Sequence, residues 1–248
     1  MANWSDPRPS AAPFGTTATT GSTAYDAGLR SYMLSVYNYM TSGVLLTGIV
    51  ALLFAWGGRD SMAAQVFLNG GALKYVIMFA PLGFVFALSM GVNRMKASTM
   101  QLLFWAFAVV MGLSMSTIFL VYSGGSIAGA FFATAAGFAA LSLYGYTTKR
   151  DLSAFGTFLI IGLVGLIVAS IINIFLQSGT MGLVISFVGV LLFAGLTAYD
   201  TQRTKSMYYE VRGTSMQDRV VIMSALSLYL DFINMFMFIL RLTGSSRD

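Results

Sequence analysis

Asp200 and Asp231 lie inside apolar stretches of a 248-residue chain that has nine acidic residues and no histidine. A carboxylate in the middle of a membrane helix costs about 2.5–3.5 kcal/mol on insertion scales, so a residue of this kind is kept for chemistry. Without histidine, the commonest metal ligand and the usual physiological-pH switch are both missing. Proton sensing then falls to carboxylates. Two of them within hydrogen-bonding range cannot both ionise cheaply, and they titrate in coupled steps that belong to neither alone. A shared proton holds their helices together and its loss makes them repel, which is a bistable element biased by protons. The plainer alternative is a permanently protonated or salt-bridged pair that only fixes helix packing.

The spacing brings the two together. In an antiparallel hairpin, residues equidistant from the turn share a depth. Positions 200 and 231 are symmetric about Ser215–Met216, where Gly213-Thr214-Ser215 is the best turn signal. This requires helix six to run on past Asp200 to about Tyr208, with Arg203 and Lys205 at headgroup level; a helix ending at Asp200 would leave only an interfacial charge. Each Asp then lies roughly 15–20 Å below its helix end. The faces agree. Ser224, Ser227, Asp231 and Asn234 recur at helical steps on helix seven, and Ser186, Gly189, Phe193, Thr197, Asp200 and Thr204 on helix six. Two such stripes line a common interior, to which helix three can add Ser114 and Thr117, helix five Asn173 and helix two Arg94. Arg94 is placed to capture one freed carboxylate.

The elements that position these residues are membrane helices. The chain is 57% hydrophobic and 9% charged, whereas soluble domains carry about 25% charged residues. Apolar runs long enough to cross about 30 Å of hydrocarbon recur seven times, near 32–56, 75–94, 101–122, 126–147, 155–177, 181–208 and 218–241. The expected architecture is an all-α, seven-helix bundle over 29–248, preceded by a disordered tail over 1–28. Gly125 and Gly129, and Gly182, Ser186 and Gly189, read as close-packing positions. Pro81 is expected to kink helix two. Counting sides alternately, one carries ten of the 14 Lys and Arg residues, including Arg30, Arg94, Lys149, Arg203 and Arg219; the other carries Arg59, Lys74, Arg241 and Arg247. Positive charge stays cytoplasmic, so the N-terminus is expected inside and the C-terminus outside. The net charge of +5 is a topology signal, with no nucleic-acid partner implied. Cysteine is absent, which excludes disulfides and thiol chemistry.

Three stretches resemble the Bax inhibitor-1, or transmembrane Bax inhibitor motif, family: 112–119 (GLSMSTIF), 198–202 (AYDTQ) and 228–236 (LYLDFINMF). Leu240-Arg241-Leu242 and Gly244 fit as well. The resemblance implies a bacterial inner-membrane protein with seven helices and a pH-sensitive calcium leak, gated by a dyad that maps to Asp200 and Asp231. It also implies an arginine partner from helix two, for which Arg94 is the nearest candidate. Calcium would be a permeant, with no resident cofactor. Ca²⁺ normally takes about six to eight oxygens. The dyad with Thr197, Ser224, Ser227 and Asn234 can offer only a weak, partly hydrated site, and weak binding suits transit.

An intramembrane aspartyl protease also places aspartates on adjacent helices, the first after a tyrosine as in Tyr199-Asp200. Its second aspartate follows Gly-x-Gly, with a Pro-Ala-Leu motif beyond. Here Asp231 follows Leu228-Tyr229-Leu230 and no proline occurs after Pro81, so no enzyme is expected. Two other readings stand beside the leak. One is a non-conducting regulator that binds another membrane protein, such as a protease, through the tail or residues 205–217; the other is a proton-coupled calcium exchanger. Oligomeric state leaves no mark in the sequence.

Overall fold

A sequence this apolar meets its backbone hydrogen bonds by forming helices, because lipid offers none. The computed structural model describes residues 17–68 and 71–246, with side chains from residue 27 onward. The long helices are α1 (Thr17–Phe54), α3 (Leu73–Gly91), α4 (Ala97–Met115), α6 (Gly124–Thr147), α7 (Ser153–Leu176), α8 (Gly179–Val211) and α9 (Gln217–Thr243). Two short helices, α2 (Met62–Leu68) and α5 (Ile118–Val121), sit between them. Counting α4 with α5 as one span, seven segments among the described residues are long and apolar enough to cross a membrane, as expected.

The differences from the expected boundaries have local causes. Of the tail expected over 1–28, the first sixteen residues lie outside the described residues, while 17–28 continue α1. Leu29 is already buried. The third span breaks at Ser116–Thr117, where the Ser116 hydroxyl donates to the Leu113 carbonyl at 2.7 Å and competes with the helical ladder. Helix α2 was not expected; Ser61 starts it by accepting the Ala64 N–H at 3.1 Å. Pro81 lies inside α3 without interrupting it.

Helix α9 is the hub, packing on α1, α4, α6 and α8. Close approach depends on glycine at a few places. A Cβ on Gly112 would lie 2.7 Å from the Thr47 carbonyl oxygen, so α1 and α4 meet only because none is there. Gly145 is tighter still, since its Cβ would run into the Ala198 carbonyl on α8. Gly145→Leu should therefore destabilise the protein by about 1–3 kcal/mol through overpacking. Gly137→Leu, on the same helix with open space around it, should be close to neutral, and thermal unfolding in detergent compares the two. The Gly125–Gly129 pair is a correction: among the described residues neither glycine has a neighbour within reach of a Cβ, so this GxxxG packs against none of them.

At the end of the bundle rich in Lys and Arg, here the basic end, the segment after Asp200 docks the α6–α7 connection. Gln202 accepts the Leu152 N–H at 2.9 Å and donates to the Arg150 carbonyl at 2.8 Å. Lys205 Nζ donates to the Tyr146 carbonyl at 2.9 Å. In that connection Asp151 accepts hydrogen bonds from the Ser153 side chain and backbone, which hold its carboxyl below the usual range.

Candidate functional site

Helix α8 runs unbroken through Asp200 to Val211, and α9 begins at Gln217. The turn between them is the expected one. Gly213 takes a left-handed φ of 72° that a side chain would resist, and the Thr214 hydroxyl donates to the Val211 carbonyl at 2.7 Å. The equal spacing from this turn then does what the sequence requires. Asp200 and Asp231 meet side chain to side chain across the α8–α9 interface.

The pair is asymmetric. Asp231 is 4% exposed, and its Oδ2 has no hydrogen-bond partner among the described residues. Asp200 is half-buried and lines a cavity of about 180 Å³ with Arg203, Thr204, Ser224 and Ser227 among its walls. Of the two, Asp200 is the one that lines the cavity, and Asp231 is enclosed. A second polar cavity of about 540 Å³ opens nearby, lined by Tyr32, Gln101, Gln217 and Asp218 among others. Between the two, the buried Tyr32 Oη and Ser224 Oγ face one another without closing a hydrogen bond of good geometry.

The remaining expected residues divide. Thr197 is fully buried one turn from Asp200, with its hydroxyl donated to the Phe193 carbonyl at 2.8 Å. Asn234 donates to the Leu230 carbonyl at 2.8 Å. Both keep acceptor oxygens free of these bonds. Ser114 and Thr117 sit where the third span breaks, toward the far end, and line none of the cavities that hold the dyad. Asn173 caps its own helix, accepting the Ser178 N–H at 3.1 Å, and lines a far-end cavity of about 540 Å³ with Ser186 and Arg241.

Arg94 is the main correction. Helix α3 closes at Gly91, and the Arg94 and Met95 N–H groups turn back onto the Gly91 carbonyl. The Arg94 side chain is exposed and is not among the residues that line the dyad cavity. The cation that shares the cavity with Asp200 is Arg203, three residues on along the same helix. That spacing puts it on the same face, a signal present in the sequence. Arg219 serves the α3–α4 turn instead, donating to the Val92 carbonyl at 3.1 Å.

A second feature follows from the same spacing. Phe193 and Phe238 are symmetric about the same Ser215–Met216 midpoint, seven residues beyond each aspartate. Their rings stack with centroids 6.0 Å apart, about 10 Å from the dyad along the helices. Gly189 makes room for the Phe238 ring. Along α8 and α9 the ring pair lies between the residues that line the dyad cavity and those that line the far-end cavity.

Among the described residues no group of three or more Asp, Glu, His or Cys gathers. A cation at this site would meet two carboxyls and neutral oxygens.

Comparison with known proteins covers the chain from α1 onward. A family model described as "Inhibitor of apoptosis-promoting Bax1" matches residues 29–248. An uncharacterized Rickettsia prowazekii protein, RP147, is 44% identical over 232 residues, covering 94% of this chain and 97% of its own. The inner membrane protein YbhL of Escherichia coli K12 is 42% identical over 224 residues, covering 89% and 94%. An uncharacterized membrane protein of Streptococcus pyogenes, SpyM3_0260, is 35% identical over 222 residues, covering 90% and 96%.

Proposed function

The chain belongs to the Bax inhibitor family, and from that premise we propose that it is a pH-sensitive calcium leak of the bacterial inner membrane, gated by Asp200 and Asp231. The observation that carries the reading is the contact between two carboxyls at one depth, one of them enclosed and the other facing a cavity. The basic end faces the cytoplasm on the positive-inside rule, and YbhL's own name supports the inner membrane.

In the closed form the carboxyls share a proton and the Phe193–Phe238 rings close the path beyond them. Loss of the proton leaves two like charges in contact, and the α8–α9 interface must loosen at that depth. Calcium and the shared proton compete for the same oxygens, because a carboxyl must be deprotonated to ligate a metal. Calcium occupancy of the dyad therefore weakens as pH falls. Arg203 sets the entrance field from the basic end and limits how long a cation dwells beside Asp200. Calcium is cargo in this reading; the chain carries no resident cofactor and catalyses no reaction.

Calcium efflux from proteoliposomes, measured across pH, tests the proposal. The wild type should change its efflux with pH in one coupled transition. Asp200→Asn and Asp231→Asn should each flatten that profile, since the amide donates the hydrogen bond at every pH. Wild-type profiles in both variants would remove the dyad from the mechanism, and no calcium flux at any pH would overturn the leak itself.

A further inference from the structure

A cavity of about 660 Å³ lies away from the dyad entrance, open sideways between α1 and α6. Helix α1 packs on α4, α8 and α9, while α6 packs on α8 and α9, so the two walls stand apart and α9 forms the floor. The walls are apolar, with Met33, Met40 and Val44 on one side and Phe138 and Leu143 on the other. Phe232 is the floor residue, its ring 5.6 Å from that of Phe138.

The one ionised side chain in the lining is Arg30, at the basic end. It is exposed and has no hydrogen-bond or ion-pair partner among the described residues. Tyr146 lines the same end, and Lys205 Nζ sits 5.1 Å from its ring centroid. The mouth is therefore cationic and the walls below it are mainly apolar, with the hydroxyls of Tyr37, Thr41 and Ser142 as exceptions. From Arg30 to Leu45 the groove follows α1 for fifteen residues, about 22 Å. One leaflet of hydrocarbon is about half of 30 Å deep. The length fits a headgroup at Arg30 and one acyl chain reaching past the midplane.

We infer that this groove holds an anionic phospholipid of the basic-end leaflet, with its phosphate on Arg30 and an acyl chain against Phe232. A guanidinium pairs with phosphate oxygens in bidentate geometry. A zwitterionic headgroup would bring its own cation toward Arg30 and Lys205, so the site discriminates by net headgroup charge. The floor also matters, because Phe232 follows Asp231 directly on α9. A chain in the groove lies against α9 at the depth of the dyad, on the opposite side from the cavity that Asp200 lines.

Native mass spectrometry of the purified full chain, titrated with equal amounts of dioleoyl phosphatidylglycerol and dioleoyl phosphatidylcholine, tests this apart from any ion flux. The wild type should retain the glycerol lipid severalfold over the choline lipid. Arg30→Gln should bring the two to parity and Arg30→Lys should keep most of the preference. Ala139→Trp, at an exposed position in the groove wall, should reduce retention of both lipids. Each variant should keep the wild-type thermal midpoint, which separates lipid loss from unfolding. Equal retention by the wild type, an unchanged preference in Arg30→Gln, or full retention in Ala139→Trp would each overturn the assignment.

Discussion

Tyr229→Ala should be among the most damaging single truncations in this chain, lowering stability by about 3–5 kcal/mol. Tyr229 is fully enclosed where α1, α4 and α9 meet. Its ring lies edge-on to Phe107 at 5.1 Å and to Phe104 at 6.3 Å. Its hydroxyl is 2.7 Å from Thr47 Oγ1, which donates to the Ala108 carbonyl at 2.9 Å, so the Tyr229 O–H is the donor of the first bond. One hydroxyl chain thus crosses three helices. Tyr229→Phe keeps the ring and leaves Thr47 bonded to Ala108, and should cost only about 1 kcal/mol. Thermal unfolding in detergent separates the two. Equal losses would mean that the hydroxyl chain, and not ring packing, dominates at this junction.

The ring layer beyond the dyad carries the second large effect. Phe193→Ala and Phe238→Ala should each raise calcium efflux toward the wild-type maximum at every pH. The reason is that an apolar constriction blocks ions by excluding water, and removing either ring admits it. Along α8 and α9 the stacked rings sit between the residues that line the two cavities, so truncating either ring opens the segment that separates them. The dyad substitutions act differently, because they alter the response to pH and leave the rings in place. Fluxes from alanine variants that match the wild type throughout would mean that the barrier lies elsewhere.

The sequence was most legible where one rule acted alone. Seven apolar runs needed only a length criterion, and all seven became spans. The Asp200–Asp231 contact needed only a turn and equal spacing on two helices, and Gly213 supplied the turn. The AYDTQ stretch shows where such reasoning stops. Asp200 was readable because a charge in an apolar run is costly. Its neighbours were not, because their roles depend on partners far along the chain: Ala198 against Gly145, Tyr199 against Gly156, Gln202 on the backbone of 150–152. Arg94 failed for a related reason. A helix end can slip by a few residues; α3 closes at Gly91, and the Arg94 side chain is exposed and does not line the dyad cavity. The GxxxG of α6 failed because small residues permit contact without requiring it.

The continuity of α8 and α9 through the dyad has a consequence for ion choice. Transporters that strip an ion of its water do so with carbonyls freed where a helix unwinds. Here both helices stay hydrogen-bonded from Gly179 to Val211 and from Gln217 to Thr243, so their carbonyls are engaged at that depth. Only side-chain oxygens face a passing cation, too few to replace a hydration shell. In the proposed leak, an ion crossing here keeps most of its water. Calcium, strontium and barium, which differ mainly in the energy needed to dehydrate them, should then pass at similar rates.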